Sequence, residues 1–386
     1  MKKFLLFCLI CEAALILCFS LCGKTDNKTH IEFATWGSES EIKILKPMLE
    51  EFERDNPEIK VDLMHIPQNY FQKIHLLFAS NTAPDVIFIN NLYLPLYSDA
   101  EVLEDLTEYN EFEYEKYFPK SIESMKYKGK IYAVPRDVSN LVFFYNKDLF
   151  DKNKIAYPQE NWTLADLLNT AQKLTDNKTF GISFDEKPLY FLPYMLYFGG
   201  WGVNDSANYF SQNITAKSEN KKGLEFYANL RTKYHVAPKK EEIASATMAQ
   251  MFLQGKIGMY LSGRWMVPKI REEAKFDWDV VEFPKTMFMD SSGWSIAKKS
   301  NHKKEAIKLV LYLSSEKNSK RFAQSGLIVP ARTDSAYSRD FLDGKKPKNA
   351  KAFLNTAQKS VPTPVTANYN EILDDLQKKT EYLFNK

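Results

Sequence analysis

Along the first sixty or so residues of the body, apolar and polar positions alternate between two periods. Ile31 to Trp36 (IEFATW) reads as a strand, after which Ile42, Leu45, Leu49 and Phe52 recur at steps of three and four, the spacing of one helix face. Ser38-x-x-Glu41 is spelled as a capping box at the start of that helix, and Asn56-Pro57 as its stop. Ile59, Val61 and Leu63 alternate as a second strand, and Phe71, Ile74, Leu77 and Phe78 mark a second helix. Ala83-Pro84 then leads into Asp85-Val86-Ile87-Phe88-Ile89, whose unbroken apolar run predicts a strand buried on both faces. Strand, helix, strand, helix, strand is the order of a right-handed parallel α/β sheet, in which ligands bind beyond the carboxyl ends of the strands. Trp36-Gly37-Ser38-Glu39 and Asn90-Asn91 fall at that edge.

A second set of elements begins at Leu141-Val142-Phe143-Phe144-Tyr145, a strongly apolar strand. Thr163-x-x-Asp166 caps a helix carrying Leu164, Leu167, Leu168, Ala171 and Leu174, and Leu224, Tyr227 and Leu230 mark another. Met248, Met251 and Phe252 lead through Gly255 into Ile257-Gly258-Met259-Tyr260, a strand after a helix C-cap, with the methionines read as core. No Pro-rich linker, heptad region or repeat separates the two sets. The chain is therefore expected to cross between two α/β units in short structured strands, without a tether.

Composition agrees with that picture. The 386 residues are 44% hydrophobic and 26% charged, with 52 Lys plus Arg against 49 Asp plus Glu. At roughly 150 residues per domain this length predicts about two domains, and so even a charge balance argues against nucleic acid as a partner. All four cysteines, Cys8, Cys11, Cys18 and Cys22, lie at one end, which excludes a Cys nucleophile, a Cys-based zinc site and a disulfide framework from the body. They sit in Met1-Lys2-Lys3 followed by FLLFCLICEAALILCFSLC, the form of an export signal over residues 1–21. A transmembrane anchor is the competing reading, opposed by Glu12 near the middle and by a length at the short limit of about 20 residues. Cys22, where the apolar run gives way to Gly23-Lys24-Thr25-Asp26, resembles the acylated cysteine of bacterial lipoproteins, with residues 22–30 as lipidated Cys and spacer. Ser20 fits that signal; Leu21 and Phe19 depart from it.

Most catalytic signatures are missing. There is no G-x-G-x-x-G, no G-x-x-x-x-G-K-[ST] and no G-x-S-x-G. His30, His65, His75, His235 and His302 are scattered and have no metal-ligand spacing, so neither metal nor cofactor is expected. Acidic pairs such as Glu50-Glu51, Glu272-Glu273 and Asp374-Asp375 read as solvated faces. A carboxylate-pair hydrolase would need two acids about 5 to 9.5 Å apart in a cleft, a distance that sequence does not give. Aromatic side chains are abundant: 27 Phe, 21 Tyr and 6 Trp. Trp36, Trp201, Trp265 and Trp294 each lie beside Gly or small polar residues, a setting of loops at element ends. A sugar ring offers a face of C–H groups and a rim of hydroxyls, and flat aromatics beside carboxylates, amides or Arg suit it. Core packing is the alternative for each Trp taken singly.

Several ordered segments carry a resemblance. Tyr127-Lys-Gly-Lys-Ile-Tyr-Ala-Val-Pro135 with Phe144-Tyr-Asn-Lys-Asp-Leu-Phe150, Pro158 to Thr175, Met248 to Trp265 (with Gly258 where Ala is usual), Gly293-Trp294-Ser-Ile-Ala297, Lys303-Lys-Glu-Ala306 and Gly326-Leu-Ile-Val-Pro330 resemble the extracellular solute-binding proteins of bacterial ABC importers, the sugar-binding group called family 1. The resemblance spans about Ile31 to Arg332. It implies an α/β, two-lobed periplasmic-binding-protein fold of type II kind, each lobe a mainly parallel sheet flanked by helices, with ligand in the cleft. It further implies three crossovers, near Val134 to Asp137, Val281 to Pro284 and Val329 to Arg332. The N-lobe would take 31–135 plus 285–330 and the C-lobe 136–284 plus 331–386.

Carried onto this chain, the resemblance implies a ligand site of Trp36, Glu39, Asn90, Asp137, Asn140, Trp201, Trp265, Trp294 and Arg332. Trp265 and Trp201 would stack on sugar rings, and Glu39, Asp137, Asn90 and Arg332 would bind hydroxyls. The turn Asn90-Asn91 departs from the aromatic or acidic residues that some members carry there. The expected protein is a monomeric, non-catalytic receptor on the periplasmic side of the membrane, anchored through Cys22, with a sugar or oligosaccharide ligand and ABC permease subunits as partners. An exported carbohydrate-active hydrolase, and a same-fold receptor for a phosphorylated or cationic solute, are the alternatives.

Overall fold

The structure is a computed structural model that describes residues 28–200, 217–243 and 246–385. Among the described residues thirteen strands run in chain order: β1 Thr29–Thr35, β2 Ile59–His65, β3 Val86–Asn90, β4 Lys126–Tyr127, β5 Lys130–Ile131, β6 Val134–Ser139, β7 Leu141–Asn146, β8 Phe180–Ile182, β9 Ile257–Gly263, β10 Trp278–Glu282, β11 Phe288–Ile296, β12 Val329–Pro330 and β13 Val361–Pro362. They form a large sheet ordered β12-β6-β11-β3-β1-β2, with β13 beside β11, a small sheet ordered β10-β7-β9-β8, and the hairpin β4-β5.

The opening pattern folds as its periods dictate. β1 pairs in parallel with β2 and β3, and the helix Glu39–Asp55 between β1 and β2 buries Ile42, Leu45, Met48, Leu49 and Phe52. Each such side chain contributes about 1.5–3 kcal/mol on full burial. That helix stops at Asn56, before Pro57. Its capping box is only half made: Ser38 accepts from the Glu41 amide, while the Glu41 carboxylate turns to Arg136. The box at Thr163 and Asp166 is complete. In β3, Val86 through Ile89 are buried, and β7, central in the small sheet, is buried along its whole length.

The two sheets are joined by strands. β6 lies in the large sheet and β7 in the small one, with Asn140 alone between them; the return runs from β10 to β11 through residues 283–287. This explains why strand directions are more mixed than the mainly parallel lobes expected from the sequence. β6 carries the chain out of the large sheet and β11 brings it back, so the two pair antiparallel. β7 enters the small sheet and β10 leaves it, again antiparallel. In the small sheet only β8 and β9 are parallel. After β12 the chain returns to the small sheet, where the helix Lys351–Lys359 packs on β7 and β10. No helix among the described residues is long and apolar enough to cross a membrane.

Candidate functional site

Two adjoining cavities of about 240 and 230 Å³ open where β6 becomes β7, and they share Ser139, Asn140, Trp265 and Ser292. The first runs between the large-sheet residues Asn90 and Asp290 and an apolar wall of Leu189, Leu192, Pro193 and Tyr369. The second is bounded by Trp36, Glu41, Arg136, Asp137 and Arg264.

Trp265 belongs to both cavities and is 40% exposed, so part of its indole is open for a ligand to cover. Its position depends on its neighbour. A Cβ placed on Gly263 would lie 1.9 Å from Trp265 Cζ3, so only a glycine lets the ring fold back over the end of β9.

The second cavity holds a buried ion triad. Arg136 Nη1 donates to Glu41 Oε1, and Arg136 Nε donates to Asp137 Oδ2 at 2.7 Å. The guanidinium also lies 4.1 Å from the Phe88 ring centroid and 5.2 Å from that of Phe322. Burial works against the Arg136 charge, but Glu41 and Asp137 outweigh it and raise its pKa. Burial pushes the Asp137 carboxyl up, with Arg136 opposing. Broken pairs of this kind are costly because the remaining charge is buried alone.

At the floor of the first cavity Asp290 accepts from Thr363 Oγ1 at 2.6 Å and from Asn91 Nδ2 at 3.1 Å, and forms no ion pair among the described residues. Burial raises its pKa, and those two donors pull the other way. Asn91 Oδ1 in turn accepts from the Ser291 amide at 3.1 Å, so Asn91 orients the carboxylate while Asn90 lines the cavity.

The residues expected from the sequence divide. Asn90, Asp137, Asn140, Trp265 and Trp36 are brought together at the crossing. Trp36 is also packed, with ring centroids of Phe88, Tyr70 and Phe71 at 4.3, 5.1 and 5.3 Å. Glu39 points away, its side chain 83% exposed and 4.0 Å from His65. Trp294 is core, buried between Phe88 and Phe322, each at 6.2 Å. Arg332 is buried in a separate cluster, paired with Asp334 and Glu113 beside Tyr117. Trp201 and Cys22 lie outside the described residues. Glu41, Arg136, Asp290 and Arg264 escaped the sequence reading. The available signal was a charge set inside an apolar strand, as in Val134-Pro135-Arg136-Asp137-Val138 and Met289-Asp290.

Comparisons agree on one family. The model of the bacterial extracellular solute-binding proteins matches residues 47–354. A galactooligosaccharide-binding protein of Bacillus subtilis (strain 168) is 24% identical over 384 residues, 93% of this chain and 87% of its own. An ABC substrate-binding protein from Listeria monocytogenes, solved in complex with cycloalternan, is 30% identical with a TM-score of 0.84, covering 93% of this chain and 94% of its own. The maltotriose-binding protein of Thermus thermophilus bound with maltotriose, 20% identical, shares the two-lobed fold at a TM-score of 0.75 over 92% of this chain and 94% of its own.

Proposed function

The chain belongs to the bacterial extracellular solute-binding proteins, and on that premise we propose that it is the non-catalytic receptor of an ABC importer, binding a sugar or oligosaccharide in the cleft at Trp265 and delivering it to the permease. The observation that carries this reading is the half-open Trp265 indole shared by two cavities, with the Asp290 carboxylate and the Asn140 amide on their walls. That is a flat apolar surface beside hydroxyl partners, the chemistry of a sugar ring. Galactooligosaccharide and cycloalternan, the ligands named for two relatives, are carbohydrates of more than one ring.

The lobes of this reading are built on the two sheets, with the strand crossings at Asn140 and at residues 283–287 as hinge. A ligand touching both lobes favours the closed form over the open one by its differential contacts, and the closed, loaded form engages the permease. Residues 1–21 act as the export signal and Cys22 carries the lipid, which holds a monomeric receptor at the outer side of the cell membrane.

Titration of the purified protein with mono- and oligosaccharides, following Trp fluorescence, tests the reading. A saturable change without product supports it. Turnover would favour the hydrolase, and silence toward every sugar would favour a receptor for a phosphorylated or cationic solute.

A further inference from the structure

Two helices form the small-sheet side of the first cavity. From the helix Pro188–Tyr197 come Leu189, Leu192 and Pro193, spaced three and four apart on one face, and from the helix Tyr369–Phe384 come Tyr369 and Leu373. The first of these helices, PLYFLPYMLY, has no charged or amide side chain. Leu192 and Tyr369 belong to the core packed on the small sheet, whereas Leu189 is 43% exposed. Among the described residues five large hydrophobic side chains are exposed, and two of them, Leu189 and Trp265, line this one cavity.

The polar lining lies on the other side and is largely engaged. Asn90 Oδ1 accepts from the Tyr93 amide at 3.2 Å, and Asp290 Oδ1 accepts from both Asn91 and Thr363. A sugar ring pressed against Leu189 and Leu373 would turn hydroxyls toward side chains that cannot bond them, and a hydroxyl stripped of water without a partner is costly. An apolar group meets no such penalty and gains from leaving water. The space is about 240 Å³. A dry cavity of roughly 150 Å³ lined by Leu, Ile and Phe already holds benzene, so there is room here for far more than the methyl of a deoxysugar. The first cavity runs into the second through Ser139, Asn140, Trp265 and Ser292, which lets a sugar seated on Trp265 in the second carry an apolar group into the first.

We propose that the wall of Leu189, Leu192, Pro193 and Leu373 is an aglycone site: the ligand is a glycoside whose anomeric oxygen carries an aryl or alkyl group, and that group fills the first cavity while the sugar lies on Trp265. This rests on the sugar reading above. A free saccharide would instead present its anomeric hydroxyl to the leucines. A charged substituent is disfavoured by the same wall, because no Lys or Arg among the described residues lines the first cavity and the one acid there, Asp290, is on the opposite side. Leu189, the open member of the wall, sets the preference for glycosides over free sugars.

The test is calorimetric titration of the purified full-length protein with the methyl and phenyl glycosides of the saccharide it binds tightest, starting from maltose and lactose. One buried CH₂ is worth about fourfold in affinity, so the phenyl glycoside should bind about tenfold or more tighter than the methyl glycoside. Its binding should also carry the more negative heat-capacity change, the mark of apolar burial. Leu189→Asn should cut the ratio of the two affinities to about threefold or less, and taking the ratio cancels any effect on the sugar part. Equal affinities in the wild type overturn the proposal, and that comparison stands even if the variant fails to fold. So does a phenyl preference that survives in a variant melting as wild type, or a phenyl glycoside that excess methyl glycoside does not displace. Saccharide binding without phenyl preference sinks this inference alone; silence toward every saccharide and both glycosides overturns the sugar reading itself.

Discussion

Glu41 accepts from Arg136, which ties the first turn of the helix after β1 to the strand that carries the chain out of the large sheet. The same guanidinium holds Asp137 at 2.7 Å. Arg136→Met would leave two carboxylates buried without their cation. The expected loss is about 3–5 kcal/mol of unfolding free energy, read from urea transitions. A variant as stable as wild type would mean the triad contributes nothing to the fold.

Asp290 gives a pH signature. Its folded pKa is raised by burial from the ordinary 3.8, so the folded state holds the proton longer than the unfolded chain does. The sign follows: as pH rises above 3.8 the unfolded chain releases its proton first, and this group takes stability away until the folded value is passed. Asp290→Asn removes that loss. Its stability relative to wild type should grow with pH from about 3.8 upward in thermal melts; a difference that is flat or shrinks with pH contradicts the assignment.

Trp294 and Trp265 should separate cleanly. Trp294→Ala empties a site in the core between Phe88 and Phe322, with an expected cost of about 3–5 kcal/mol in stability. Equal stability to wild type would place Trp294 outside the core.

Gly263→Ala tests how the Trp265 ring is held. Gly263 has φ −97°, an ordinary value for any residue, so the backbone tolerates alanine and the nearest conflict is with the Trp265 ring. Displacing the ring should weaken sugar binding by about threefold or more while costing about 1–3 kcal/mol in stability. Unaltered affinity would show that the ring position is immaterial.

Lipid attachment is independent of the cleft. Wild-type cells fed labelled palmitate should incorporate label into this protein and Cys22→Ser should abolish it; label retained in the variant contradicts the anchor.

The elements themselves were legible in the periods. Steps of three and four residues marked the helix Glu39–Asp55, an unbroken apolar run marked β3, and Thr163 with Asp166 spelled a cap that forms in full. The site was legible in part, because strand ends predict an edge but not the direction of each side chain along it. Glu39 and Glu41 are two residues apart in one helix turn and so face different ways; Glu41 reaches Arg136 and Glu39 faces solvent. Trp294 shares a Gly-flanked setting with Trp265, yet it lies in a central strand of the large sheet, while Trp265 follows the end of β9. Asp290 had only the faint signal of a charge inside an apolar strand, and its place beside Asn90 follows from the pairing of β11 with β3, strands distant in sequence.

The most direct measurement is the affinity of wild type and Trp265→Ala for the tightest-binding neutral oligosaccharide, with thermal melts as control. Loss of stacking on the indole should weaken binding by about tenfold or more, an effect of about 1.4 kcal/mol or more, with melting unchanged. Intact affinity in the folded variant would contradict a sugar site at Trp265.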